Sequence, residues 1–223
     1  MTHEIVSFPP ESTVRFCKLS FDELDNIPYI DNNQNLLDHK TVERWEQLIA
    51  KDYILPTDSV LELGGRFGSV SCVINNILDD PTKHIVIEPE EAVIPALLQN
   101  RKDHNSFFTV YKNIICSKPK KLICAGHATR AVDCTEAEDV PVPSITLEEI
   151  VNQHGFSFTA LVADCEGCME DFVSNHKDFI RGLRFITFEQ DFPELSNYAN
   201  VWKMLKECGL TCIKNDFHSI WTK

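Results

Sequence analysis

The chain has 223 residues, 43% of them hydrophobic, and a formal net charge of −13 at pH 7. That length and apolar share suffice for one α/β core, and the acidic balance would repel a phosphate backbone, so no nucleic-acid partner is expected. No run of about 18 uncharged apolar residues occurs, and the opening "MTHEIVSFPPE" lacks a basic region followed by an apolar segment, so neither a membrane partner nor secretion is expected. The expected location is cytoplasmic.

No linker-like composition interrupts the chain, which reads as one domain over 1–223, with an N-terminal extension at 1–55 and a core at 56–223. A leading helix is predicted over 39–51, where Val42, Trp45, Leu48 and Ile49 share one face. "SVLEL" (59–63) reads as a buried strand. Val70, Val73, Ile74, Ile77 and Leu78 then recur on one helical face, and Pro81 ends that helix. "HIVIE" (84–88) is a second strand, Pro95 can begin the next helix, and "FFTVYKNII" (107–115) is a third strand. Residues 116–143 read as an insertion of extra strands and a loop. Thr146 stands three residues before Glu149, the spacing of a capping box, so a helix should start there. "FTALVA" (158–163) and "RFITFE" (184–189) are further strands, a helix carrying Val201, Trp202 and Leu205 ends near Gly209, and "LTCIKNDFHSIWT" closes as a hairpin. Strands alternating with helices imply a mostly parallel sheet covered on both faces. Such sheets bind ligands at the carboxyl ends of their strands, and here those ends carry Glu62, Glu88, Asp164 and Glu189.

"ELGGRFG" places Gly64, Gly65 and Gly68 in one strand-to-helix turn, where glycine permits positive φ and close approach of a ligand. A dinucleotide fingerprint would need glycine at 63, which is Leu63, so an NAD-type oxidoreductase is the weaker reading. Glu62 adds negative charge beneath a helix N-terminus that already favours anions, so a phosphate is a poor guest and a cationic, phosphate-free nucleoside such as S-adenosylmethionine is a better one. Glu88, at the end of the next strand, stands where a carboxylate accepts ribose hydroxyls.

From "VLELGGRFG", "VIEPE", an Asn100-containing helix, "YKNIICS", "ITLEEIV" and "DCEG", taken in order, the chain resembles class I S-adenosylmethionine-dependent methyltransferases, and more narrowly the FkbM-like family, over about residues 58–190. The resemblance implies a Rossmann-like domain with a mostly parallel seven-stranded sheet, helices on both faces and a C-terminal antiparallel hairpin. It also implies O-methylation of a small metabolite or of a sugar or glycan. By position it carries cofactor binding to Glu62, Gly64, Gly65, Phe67, Gly68, Glu88, Pro89, Asn113 and Asp164. Asp164, Glu166 and Gly167 match the family's D-x-E-G, whereas Val162 stands where the family has lysine and Met169 where it has a further glutamate. The missing lysine keeps open a catalytically inactive nucleoside-binding module.

O-methyl transfer needs the acceptor hydroxyl held near attack distance and its proton removed. Asp164, Glu166 and Glu189 are the candidate catalytic carboxylates, with Asp191 beside them. The same oxygens suit a divalent ion such as Mg²⁺, which is an option and not an expectation. Cys165 and Cys168 form a C-x-x-C, but no second pair at zinc spacing accompanies them, since Cys208 and Cys212 are C-x-x-x-C. The nine cysteines are therefore expected to be reduced thiols, with the C-x-x-C pair filling apolar positions. His218, in the last hairpin, is expected to be structural.

Overall fold

The computed structural model of the protein describes residues 5–6, 18–38, 40–125 and 128–223. The chain divides into two compact units, Met1–Lys112 and Asn113–Lys223.

The first unit runs β1 (Ile5–Val6), α1 (Phe21–Leu24), the pair β2 (Tyr29–Ile30) and β3 (Leu36–Leu37), α2 (Arg44–Tyr53), β4 (Val60–Leu63), α3 (Ser69–Ile77), β5 (His84–Ile87), α4 (Ile94–Asp103) and β6 (Thr109–Tyr111). Its strands β4, β5 and β6 are parallel, with Val60 opposite His84 and Ile85 opposite Thr109, and β1 pairs antiparallel with β6. Every residue of β4, β5 and β6 is buried, as strands covered on both faces require. Leu97, Phe108, Val86, Val110 and Cys72 pack in the core beside Tyr29.

The second unit begins with the antiparallel pair β7 (Lys120–Ala125) and β8 (Ala128–Asp133), which lies within the expected insertion at 116–143. It continues with α5 (Leu147–His154), β9 (Ala160–Ala163), α6 (Met169–Asn175), α7 (Lys177–Gly182), β10 (Phe185–Glu189), α8 (Tyr198–Glu207), β11 (Thr211–Asn215) and β12 (His218–Thr222). β9 and β10 are parallel, whereas β12 runs antiparallel to both β10 and β11. The last two strands are the hairpin read from the sequence. The capping box is also present: the Thr146 hydroxyl accepts from the Glu149 N–H at 3.1 Å and the Glu149 carboxylate accepts from the Thr146 N–H at 2.8 Å.

Several elements differ from the sequence reading. α2 starts only at Arg44, because Glu43 adopts φ 45°, which no α-helix continues; residue 39, where the predicted helix begins, lies outside the described residues. The strand expected over 107–115 is regular only at 109–111, and Ile114 instead bridges Ser144. The two-residue strand β1 was not anticipated, because so short a segment has no period to read. Among the described residues no helix is long and apolar enough to cross a membrane.

Candidate functional site

The glycine turn joins β4 to α3 in the first unit. Gly64 and Gly68 have φ of 88° and 82°, in the left-handed region that β-carbons disfavour. A β-carbon on Gly65 would meet Val86 Cγ1 at 2.3 Å, and one on Gly68 would meet Leu97 Cδ1 at 2.7 Å. The turn therefore lies flat against β5 and α4, and only glycine fits there. The Gly64 N–H donates to the Ile87 carbonyl at 2.9 Å and the Gly68 N–H to the Gly65 carbonyl at 2.7 Å. Phe67, between them, is buried against Val93 and Ala96.

Three carboxylates surround this turn. One oxygen of Glu88 accepts the backbone N–H groups of Gly65 at 3.1 Å and Arg66 at 2.7 Å, and the other accepts the Glu90 N–H at 2.8 Å, across the half-buried Pro89. Burial pushes the Glu88 carboxyl up to about 7, against these hydrogen bonds. Glu62 is buried, and its two oxygens are engaged by the Ser71 hydroxyl at 2.9 Å and His84 Nε2 at 2.8 Å. It thus braces β4 against α3 and β5 and acts on the turn from behind. Glu43, which the sequence reading passed over, accepts a hydrogen bond from the Ser69 hydroxyl at the first residue of α3. Enclosure of its carboxyl group raises it to about 7. "TVERWEQ" gave no sign of this, because Glu43 reads there as one more helical residue and not as a left-handed cap.

Asn100 on α4 ties these parts together. Its amide donates to the Phe67 carbonyl at 2.8 Å and to the Ile30 carbonyl at 2.9 Å, while its oxygen accepts the Ile30 N–H at 2.9 Å. The Tyr29 hydroxyl donates to the Ser69 carbonyl at 3.2 Å, and the Tyr29 ring stacks on His104. The β2–β3 hairpin is thereby fastened to the turn.

In the second unit Asn113 is 2% exposed, and its side-chain oxygen has no hydrogen-bond partner among the described residues. A buried acceptor in that state costs free energy unless something supplies a donor.

The second unit also gathers the other predicted carboxylates. One oxygen each from Asp164, Glu166 and Asp191 lies within 4.8 Å of the others. Burial is the largest cause that raises the Glu166 carboxyl, to about 9, followed by its hydrogen bond with Asp191 and the charges of Asp164, Asp191 and Glu189. Glu166 therefore carries a proton at neutral pH. Glu189, at the end of β10, pairs with His218 Nε2 at 3.0 Å. The Tyr198 hydroxyl, unread in the sequence, donates to the Asp191 carbonyl at 2.6 Å, and burial pushes it well above its ordinary value.

Two cysteines depart from the expected reduced state. Cys165 and Cys168 form a disulfide, with their Cα atoms 5.5 Å apart. The physical reason is proximity: the chain folds back over Glu166 and Gly167, with φ of 53° and 90° in the closed turn, and brings the two cysteines within disulfide reach. The other six described cysteines are free.

No protein-family model matches the sequence, and no curated protein matches it. Solved structures do. A putative O-methyltransferase from Klebsiella pneumoniae is 12% identical, with a TM-score of 0.50 over 90% of this chain and 88% of that one. A ribosomal protein L11 methylase from Lactobacillus delbrueckii subsp. bulgaricus is 8% identical, with a TM-score of 0.50 over 81% and 77%. At such identities the likeness speaks for architecture alone, and that architecture is the Rossmann-like fold of class I methyltransferases, a mostly parallel sheet with helices and a C-terminal antiparallel hairpin.

Proposed function

We propose that the protein is an S-adenosylmethionine-dependent O-methyltransferase of the FkbM-like type, acting in the cytoplasm on a hydroxyl of a small metabolite or sugar. The observation that carries this reading is the glycine turn and its carboxylates. Gly65 and Gly68 let the strand-to-helix turn seat directly against β5 and α4, and Glu88 and Glu43 set carboxyl groups beside it. A cationic nucleoside fits such a turn better than a diphosphate does.

When bound, S-adenosylmethionine supplies an electrophilic methyl group. The chain's own residues must hold the acceptor hydroxyl and take its proton. Because Glu166 already carries a proton, it serves as a hydrogen-bond donor that orients the hydroxyl, and Asp164 takes the role of base. Glu189 is engaged with His218 and supports them. The same oxygens could hold Mg²⁺, but the proton held on Glu166 competes with a cation there.

Thermal unfolding with S-adenosylmethionine, S-adenosylhomocysteine and NAD added separately tests this. A ligand at about 100 times its dissociation constant stabilises the fold by about 2.7 kcal/mol, a shift of several degrees. A shift with the first two alone is expected. A shift with NAD alone, or with none of the three, overturns the reading.

A further inference from the structure

The only disulfide among the described residues closes a four-residue loop, and that loop is the C-E-G-C turn that carries Glu166. A loop so short constrains the unfolded chain least, so the bond contributes little as a staple for the whole fold. Its effect is local. Glu166 has φ 53° and Gly167 φ 90°; a non-glycine residue at such a φ persists only where its surroundings impose it. Cys165 and Cys168 are both half-buried, neither fully enclosed. Six other described cysteines remain free, Cys124 among them on the surface, so among the described residues pairing is confined to this turn.

What the turn touches gives the bond a consequence. Gly167 packs so closely on the segment after β10 that a β-carbon there would meet Leu195 Cβ at 2.9 Å and Phe192 Cβ at 3.2 Å. Beyond the turn, α6 is tied to that segment independently. The Glu170 N–H donates to the Ser196 hydroxyl at 2.8 Å, and the Glu170 carboxylate accepts the Asn197 N–H and the Asn200 amide, each at 2.8 Å. The disulfide thus adds a covalent tie within the stretch between β9 and α6, where Glu166 also bonds to Asp191. The groups facing Glu166 are Asp164 after β9 and Asp191 and Glu189 at the end of β10, with His218 of β12 on Glu189 and Tyr198 of α8 on Asp191.

We propose that Cys165 and Cys168 are a reversible dithiol–disulfide switch that sets the conformation of the Glu166–Gly167 turn. A dithiol reductant attacks one sulfur as its thiolate and releases the other. Its second thiol then resolves the mixed disulfide, and the reductant leaves as its own disulfide. Two electrons and two protons end on the two cysteines, and glutathione disulfide reverses the exchange. In the reduced protein Glu166 relaxes from the left-handed region and withdraws from Asp164 and Asp191. In a reducing compartment, disulfides of this kind are cycled and do not act as staples. The consequence for methyl transfer rests on the function proposed above; the switch itself does not.

The test uses the full chain equilibrated with dithiothreitol or with glutathione disulfide. Alkylation and mass measurement count thiols, and amide hydrogen exchange is read over 163–172 and 190–197. The switch predicts two additional alkylated thiols on reduction and about tenfold faster exchange in those two segments, with β4–β6 unchanged. The Cys165→Ser/Cys168→Ser variant should match the reduced wild type in either buffer. Equal exchange in both buffers, or a pair that stays reduced in glutathione disulfide, overturns the proposal. Neither readout needs a methyl donor, so a failure of the methyltransferase reading shows up separately, in the thermal shifts.

Discussion

The carboxylate of Glu62 and the imidazole of His84 meet at 2.8 Å with both side chains almost completely buried, one on β4 and the other on the adjacent β5. The second Glu62 oxygen accepts the Ser71 hydroxyl, so one side chain links two strands and the helix that follows the glycine turn. Removing one partner of a buried pair leaves the other uncompensated, at a cost of about 3 kcal/mol. Glu62→Ala should therefore lower the thermal midpoint by several degrees without ligand. An unchanged midpoint would show that the pair is not a structural brace.

Gly68→Ala should be more damaging to binding than to folding. Its φ of 82° and the 2.7 Å approach to Leu97 Cδ1 together cost about 2 kcal/mol, which a protein of ordinary stability survives. The seating of the turn against Leu97 of α4 would not. The thermal shift with S-adenosylhomocysteine is expected to vanish while the variant still unfolds cooperatively. A retained shift would place the ligand elsewhere.

How far the sequence could be read follows from where the information resides. The strand-end carboxylates and the glycines stood in order after apolar runs, and the structure places Gly64–Gly68 in the expected turn. Glu43 was invisible because its role depends on one left-handed residue before α2, which no apolar period reports. The Cys165–Cys168 bond was missed for a similar reason. Spacing alone leaves C-x-x-C open to zinc, thiols or a disulfide, and the closed turn over Glu166 and Gly167, with the cysteines within reach, decides between them. Glu62 was legible as an acid at a strand end, but not that its oxygens would be spent on Ser71 and His84.

The raised carboxyls give stability a definite pH dependence. Glu43 and Glu88 sit at about 7, and Glu166 at about 9, all above the ordinary 4.5. Such groups bind their protons more tightly folded than unfolded, so the stability they contribute is complete below about 4.5 and is lost as pH rises through the folded values. His154 and His176, lowered from 6.5 chiefly by burial, act in the opposite sense below that pH. The clean window is thus above about 6.5, where the ligand-free thermal midpoint should fall steadily to about pH 9. Glu88→Gln should flatten part of that slope. A midpoint that rises across the window would contradict the buried state of these carboxyls. The affinity for a cationic nucleoside should rise over the same range, as Glu43 and Glu88 ionise, measured by titration calorimetry at several pH values.

Asp164 and Glu166 can be told apart by replacing each with its amide. Glu166 holds a proton at neutral pH because burial and then its bond to Asp191 raise it to about 9, so what it offers a hydroxyl is an O–H donor. Glu166→Gln replaces that donor with an N–H of similar reach, and kcat should fall by no more than about tenfold. Asp164→Asn removes the proton acceptor itself, which is worth about 10²–10⁴ in rate for general-base catalysis. The pH profile separates the roles further: the wild-type rate should rise with an acid limb set by the base, and that limb should persist in Glu166→Gln but disappear from the residual activity of Asp164→Asn. If Glu166→Gln is the variant that loses its rate and its acid limb, the assignment is reversed and Glu166 is the base.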